Sequence, residues 1–329
     1  MDITKRKEDH LKICLEENVS RGNSGFDDFI LPYLALPEIN FEKISTETEF
    51  LGFKVALPVF ISSMTGGLTE GKAINQKLAQ AAQTGKIPLA LGSCRIILEK
   101  PETLESFNVK SLMPDVPLLA NIGAVQLNYG WTYEECSRIV DTLKADALIL
   151  HLNPLQEVLQ DGGNTNFEGL MDKIAKVVKK VDFPIIVKEV GTGISAKTAS
   201  ILQSAGVKYI DVAGHGGTNW ALVEALRYKN ETQGELFATL GISTVKSLQE
   251  CSAIKGINLL ASGGIKNGLD VAKALYLGAK MGGLAKPFLM AENPQQLIEQ
   301  LKFELKVTMF SMGISSVHQL SYQVYREGI

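Results

Sequence analysis

PIIVKEVGTGISA, Pro184 to Ala196, admits two folds. A short apolar run gives way to a glycine turn, which opens onto a helix-forming stretch. Asp211 ends the next apolar run at about the spacing of a ribose-binding acid. By motif this is G-x-G-x-x-A, the phosphate turn of a doubly wound dinucleotide-binding domain. Two features count the other way. Lys188 and Glu189 place opposite charges just before the first glycine, where the strand of that motif is ordinarily apolar. The run is also one member of a longer series.

The series has eight members: PVFISSM (58–64), IPLALGS (87–93), PLLANIG (117–123), ALILHLN (147–153), PIIVKEV (184–190), KYIDVAG (208–214), NLLASGG (258–264) and KMGGLAK (280–286). Short continuous apolar runs fit strands buried on both faces, as in a parallel sheet. Helix-forming stretches separate them, such as TEGKAINQKLAQAAQTG after the first and FEGLMDKIAKVVKKV after the fourth. SAKTASILQSAG follows the fifth, with Ser195 as N-cap and Gly206 as closing glycine. NGLDVAKALYLGA follows the seventh. The pattern predicts an α/β fold, a (β/α)₈ barrel, and makes the glycine turn a connection between its fifth and sixth units. The wider gap at 216–257 predicts an insertion between strands six and seven. The whole chain, 1–329, reads as one domain: an extension over 1–57, the barrel over 58–290 and a C-terminal helical segment over 291–329.

With 329 residues, 45% hydrophobic, 21% charged and a formal net charge of −3, the chain carries no bulk charge for nucleic acid or a membrane surface. An anion must be bound locally. The charged N-terminus lacks a signal-peptide core, and no run approaches bilayer-spanning length. Four scattered cysteines have no metal or redox spacing. A cytoplasmic protein with reduced thiols is the expectation.

Polar residues recur where the apolar runs stop: Ser62, Ser93, Asn121, His151, Lys188, Asp211, Ser262 and Lys286. In this barrel those ends share one face, where active sites lie. Glycine turns at 214–218, 262–265 and 282–286 suit phosphate, with Thr218 and Lys286 beside them. Arg6 and His10, four apart, would share a helix face. Arg95 follows the second run at the same rim, Glu157 offers a hard oxygen ligand, and Gln156 is neutral and can orient a group but hardly protonate it. Asp211 reads as a loop anchor, Trp220 as pocket wall or packing, and His215 as an open candidate for phosphate contact.

RKEDHLKICLE (6–16), SSMTGG (62–67), GSCR (92–95), NIGA (121–124), HLNPLQE (151–157), VKEVGTGIS (187–195), DVAGHGGTNW (211–220), ASGGIKN (261–267) and GLAKPF (283–288) together resemble the type 2, FMN-dependent isopentenyl-diphosphate isomerases. The resemblance implies interconversion of isopentenyl and dimethylallyl diphosphate with Mg²⁺, reduced FMN, and NADPH as reductant. It implies FMN contacts at Ser62, Ser63, Met64, Thr65, Ser93, Asn121, Lys188, Thr218, Gly263, Gly264, Ile265, Ala285 and Lys286. It places Arg6, Lys7, His10, Arg95 and His151 near the diphosphate and Gln156 beside the hydrocarbon, with Glu157 as magnesium ligand. Catalysis would fall to Gln156 and Lys188 around the flavin, in a homo-oligomer, commonly a tetramer or octamer. The chain departs from many members at Asp161-Gly162-Gly163, where Pro-Glu-Gly is common, and at Cys94, where glutamine is. Two other functions compete: an FMN-dependent 2-hydroxy-acid oxidoreductase on the same barrel, and a non-catalytic phosphate-ligand sensor.

Overall fold

Two short strands, β1 (Thr48–Phe50) and β2 (Phe53–Val55), pair as an antiparallel hairpin ahead of the eight apolar runs. Each run then becomes one parallel strand: β3 (Val59–Ile61), β4 (Leu89–Ala90), β5 (Leu118–Gly123), β6 (Ala147–Leu152), β7 (Ile185–Glu189), β8 (Tyr209–Asp211), β9 (Asn258–Ala261) and β10 (Ala279–Leu284). β10 pairs with β3, so the ring closes in chain order. The structure, a computed structural model, describes residues 3–228 and 231–321.

Helices alternate with the strands. After α1 (Ile3–Glu16) come α2 (Thr69–Gly85), α3 (Ile96–Glu99), α4 (Tyr133–Leu143), α5 (Pro154–Leu159), α6 (Leu170–Lys180) and α7 (Ala196–Ser204). Then follow α8 (Trp220–Tyr228), α9 (Glu231–Phe237), α10 (Thr244–Cys251), α11 (Gly268–Tyr276), α12 (Lys286–Met290) and α13 (Pro294–Ser311). Ser195 caps α7 by accepting from the Thr198 N–H, and Gly206 beyond its end sits at φ +88°, the left-handed region glycine enters freely. α10 packs beside α7 and β9 as the regular barrel helix, which leaves α8 and α9 as the insertion between β8 and β9. α13 covers α2 and α11 across the seam where β10 meets β3. Residues 322–329 of the C-terminal segment lie outside the described residues.

Side chains alternate along each strand, and the two faces bury different cores. Phe60, Ala90, Leu119, Ala147, Ile149, Ile186, Leu260 and Met281 fill the lumen, while their neighbours Leu89, Leu118, Leu148, Val187, Ile210 and Leu259 face the helices. Phe50 and Val55 of the hairpin join the lumen cluster. The N-terminal extension therefore serves both ends of the barrel, with its hairpin plugging the N-terminal end and α1 lying at the other. Among the described residues no helix is long and apolar enough to cross a membrane.

Phe60 is 1% exposed, and a Cβ at Gly283 would stand 2.3 Å from its ring, so the lumen has no slack around it. Phe60→Ala is expected to lower unfolding free energy by about 3–5 kcal/mol, read as a reduced urea midpoint at unchanged denaturant slope.

Candidate active site

The alternation that fills the lumen also builds the site above it. Two residues beyond each inward-facing apolar residue is another inward-facing position, one layer nearer the C-terminal mouth. Phe60 is thus followed by Ser62, Leu119 by Asn121, Ile149 by His151, Ile186 by Lys188, Tyr209 by Asp211 and Leu260 by Ser262. Strand register sets His151 opposite Lys188 and Lys188 opposite Asp211. Over this polar layer opens a cavity of about 550 Å³.

Every residue singled out above for catalysis, substrate, cofactor or metal lines that one cavity, from Arg6 on α1 to Lys286 on α12. Trp220 lines it too, edge-on to the His10 ring at 5.1 Å between centroids. His215 does not. Its Nε2 bonds the Ala238 carbonyl at 2.8 Å, and its ring packs where a Cβ on Gly22 would fall, so it fastens the N-terminal strap instead of meeting an anion. Asp211 accepts from Ser262 Oγ at 2.9 Å and from the Ala213 N–H at 3.2 Å, a loop anchor beneath the mouth.

The glycine turn of the opening stretch holds an anion of its own. Glu189 curls its carboxylate into the turn, accepting from the N–H groups of Val190, Gly191 and Thr192 and from Thr192 Oγ1 at 2.5–2.7 Å. A nest of N–H groups that would cradle a dinucleotide phosphate is filled by the chain itself. The turns after β8 and β9 are different. Gly263 and Gly264 have φ of +93° and +75°, and a Cβ on either, or on Gly217, would come within 2.1–2.7 Å of backbone in the facing turn. Two glycine turns pressed together line the cavity beside Thr218 and Lys286, a cradle that fits a cofactor phosphate.

On the opposite rim, cations gather. Arg6, half-buried, makes no hydrogen bond or ion pair to a described residue; burial and the neighbouring Arg95 push its pKa down. Lys7 spans the mouth, donating to the carbonyls of Gly66 at 2.8 Å and Ser93 at 2.9 Å, and burial pushes its ammonium down to about 8. Arg95 pairs with Glu99 at 2.9 Å. Lys188 donates to the Glu189 carbonyl at 2.6 Å; burial lowers its pKa, and Asp211 and Glu189 oppose that. Cys94 points away from the cavity, its thiol bonded to Gly92 O and pushed up to about 12 by burial.

Between the rims lies a group the sequence reading passed over. Glu224 of α8, with its side chain fully buried, accepts from His10 Nε2 at 2.8 Å, Gln156 Nε2 at 3.1 Å and Arg227 Nη1 at 3.1 Å. Burial pushes this carboxyl up, but the bonds from His10 and Gln156 and the Arg227 charge outweigh it and hold it below the usual range. Arg227 reaches on to Asp9, tying α8 to α1. A signal existed, because WALVEALRY sets one carboxylate inside an apolar helix with a cation three residues on.

Asn153 fixes the other side of Gln156, donating from Nδ2 to Gln156 Oε1 and Glu157 Oε1 at 3.0 Å each. The Gln156 amide is thereby oriented, oxygen to Asn153 and nitrogen to Glu224. Glu157 also accepts from the Asn164 N–H at 2.6 Å, while the buried Asn153 Oδ1 has no hydrogen-bond partner among the described residues. A lone carboxylate with a spare amide oxygen suits Mg²⁺, which takes few protein ligands and keeps phosphate oxygens and waters. A Cβ at Gly163 would lie 1.9 Å from the Glu157 carbonyl, so Asp161-Gly162-Gly163 keeps glycine where the loop returns under Glu157.

Glu224→Gln takes from the buried Arg227 guanidinium one of its two carboxylate partners, leaving Asp9, and a loss of about 1–3 kcal/mol of stability is expected. Adding Arg227→Met should recover part of it. Additive losses in that double-mutant cycle would show that the pair is not coupled.

The family model described as FMN-dependent dehydrogenase matches residues 149–327, more than half of the chain. A protein of Rickettsia rickettsii (strain Sheila Smith) named isopentenyl-diphosphate delta-isomerase is 47% identical over 331 residues, covering 98% of this chain and 96% of that protein. One of the same name from Rickettsia prowazekii (strain Madrid E) is 48% identical over 335 residues, with the same coverage. Among solved structures, a mutant flavocytochrome b2 with pyruvate bound superposes with a TM-score of 0.68 at 18% identity, over 96% of this chain and 82% of that one. A mandelate oxidase does so at 0.63 and 18%, over 97% of each. These two share the barrel. Identity near one half along almost the entire length is a closer bond, and by it this chain belongs to the isopentenyl-diphosphate delta-isomerases, on a barrel of the FMN-dependent dehydrogenase family.

Proposed function

We propose that this chain is a type 2 isopentenyl-diphosphate delta-isomerase, interconverting isopentenyl and dimethylallyl diphosphate with FMN kept reduced by NADPH and with Mg²⁺ on the diphosphate. The observation that carries the reading is the convergence of Arg6, Lys7, His10 and Arg95 on one rim of the cavity, Arg6 with no hydrogen bond or ion pair to a described residue. Beside them stand the carboxylate of Glu157 and the oriented amide of Gln156.

The substrate offers no carbonyl to polarise, so moving its double bond requires a proton added at one carbon and one removed from another. Reduced FMN supplies that acid–base capacity when bound. The chain's share is placement and electrostatics. Arg6 and Arg95 would grip phosphate oxygens through guanidinium forks, and Glu157, with Asn153 Oδ1 near it, would hold the metal. Gln156 would stand against the hydrocarbon, and Glu224 behind it would fix its amide. Lys188 would stabilise negative charge on the reduced flavin. The glycine turns around Gly217 and Gly264 would take the cofactor's phosphate. The walls and α1 exclude water from an apolar tail held between them.

A 2-hydroxy-acid oxidoreductase would need to hold one carboxylate, for which a rim of two arginines, a lysine and a histidine beside a carboxylate suited to a metal is excessive. Redox balance separates the two, since isomerisation consumes no stoichiometric reductant.

Purified chain with FMN, NADPH and Mg²⁺ should convert isopentenyl to dimethylallyl diphosphate while oxidising far less NADPH than the product formed. No product under reducing conditions sinks the reading. Lys188→Met should cut turnover about a hundredfold or more, as loss of a preorganised charge-stabilising group does, and full activity would remove Lys188 from the mechanism. A pH test follows from Lys7. Its ammonium is charged below about 8 and loses its proton as pH rises through that value, so KM should climb above pH 8. Lys7→Met should show a higher KM without that climb, and an unchanged profile would acquit Lys7.

A further inference from the structure

Lys188 lines the cavity and makes one hydrogen bond to a described residue, to the next carbonyl along the chain: its Nζ donates to the Glu189 oxygen at 2.6 Å. That carbonyl belongs to the peptide group joining Glu189 to Val190. The N–H of the same group donates to Glu189 Oε2 at 2.6 Å. In a trans peptide the C=O and N–H point in opposite directions. One flat unit therefore turns its hydrogen to the Glu189 carboxylate and its oxygen to the Lys188 ammonium. Whatever fixes the first orientation fixes the second.

The carboxylate holds its side firmly. Oε2 also accepts from the Gly191 and Thr192 N–H groups at 2.7 and 2.5 Å, and Oε1 accepts from Thr192 Oγ1 at 2.6 Å. Three consecutive N–H groups can converge on one oxygen because Gly191 takes a φ of +138°, open to glycine. The turn is also wedged in place. Thr192 O accepts the Ile242 N–H at 2.8 Å, the Gly193 N–H donates to Ala213 O at 3.1 Å, and a Cβ on Gly193 would stand 2.4 Å from the Ile242 carbonyl. Asp211 is the larger negative charge acting on Lys188, but its oxygens bond Ser262 and Ala213. A lysine is a point charge on a flexible stem. Asp211 attracts it without directing it, and the Glu189 carbonyl supplies the direction.

We infer that Glu189 is a positioning residue for Lys188: its carboxylate, seated in the turn after β7, orients the Glu189–Val190 peptide so that the carbonyl aims the Lys188 ammonium at the flavin. The inference rests on the proposed flavin enzyme, with Lys188 beside the ring. It gives the self-filled glycine turn a task in place of phosphate binding. The two roles open to Glu189 differ in sign. Reducing the flavin adds negative charge to the ring, so an aimed ammonium raises the midpoint potential, whereas a nearby carboxylate lowers it. Removing a bystander carboxylate would therefore raise the potential. Removing one that aims Lys188 lowers it.

Midpoint potentials of the FMN-loaded chain, read anaerobically against a reference dye, separate them. Glu189→Gln keeps the length of the side chain and an oxygen for the turn but removes the charge. Its potential should fall by the equivalent of about tenfold in the reduction equilibrium, about 30 mV for a two-electron couple. Lys188→Met should lower it further. In the Lys188→Met background, adding Glu189→Gln should produce no fall, because the group it aims is gone. Thr192→Val removes one of the four bonds to the carboxylate and should lower the potential by less. If Glu189→Gln does not retain FMN, Thr192→Val decides by the same two criteria. A rise, or no change, overturns the inference, and so does an equal fall with and without Lys188. Each of those results leaves the isomerase reading standing, since product formation decides that separately. A Lys188→Met chain with the wild-type potential removes Lys188 from the flavin, and this inference with it. A chain that binds no FMN sinks the flavin reading itself.

Discussion

Closing eight parallel strands into a ring forces every second side chain on each strand into the lumen, whatever its chemistry. In this protein the lower layers of that lumen are Phe, Leu, Ile, Met and Ala, and the top layer is Ser62, Asn121, His151, Lys188, Asp211 and Ser262. The apolar layers pack tightly and exclude water from beneath. A charged Lys188 is therefore tolerable only at the top, where Asp211 lies beside it in register and a carbonyl accepts its hydrogen bond. The floor of the site and the stability of the barrel are one structure. A change that loosens the packing around Phe60 would also move Ser62 and Gly283, which stand over it.

Above the ring the problem becomes one of charge. Arg6, Lys7, Arg95 and Lys188 face a common space, and a folded chain must bring them together before any anion arrives. It does so by giving most of them a local partner: backbone carbonyls for Lys7 and Lys188, and Glu99 for Arg95. Glu224 lowers the positive potential on the other flank, and through His10 and Arg227 it clasps α1 to the insertion helix α8. Only the Arg6 guanidinium is left without a bond to a described residue. The clasp explains why a barrel with an ordinary core has so long an N-terminal extension. One part of it plugs the lumen, and the other carries Arg6 and Lys7 to the opposite end.

Anion binding is divided among the glycine turns by what already occupies them. The turn after β7 has the N–H groups to hold a phosphate, and Glu189 fills it. The turns after β8 and β9 have the same backbone freedom, and their nearby carboxylates, Asp211 and Asp270, take the Ala213 and Lys266 N–H groups, which leaves Gly217, Gly263 and Gly264 lining the cavity. G-x-G-x-x-A thus describes a shape. The residue just before it decides whether that shape receives a ligand or a side chain.

The sequence by itself determined the eight strands, their order, and the gathering of the polar residues at the strand ends on one face, because apolar runs and chain order are local properties that a closed ring preserves. It also determined the helix over 69–85, whose bounds follow from composition alone. It did not determine that Glu224 would meet His10 and Gln156, residues 214 and 68 positions away, or that His215 would turn from the cavity onto Ala238. Nor did it give the lumen-plugging hairpin at 48–55, whose alternation is too short to stand out. Those outcomes depended on where the insertion between β8 and β9 comes to rest and on which way a glycine turn faces. A buried charge takes the partner that three-dimensional packing brings within about 3 Å, and nothing along the chain encodes that distance until the barrel has closed.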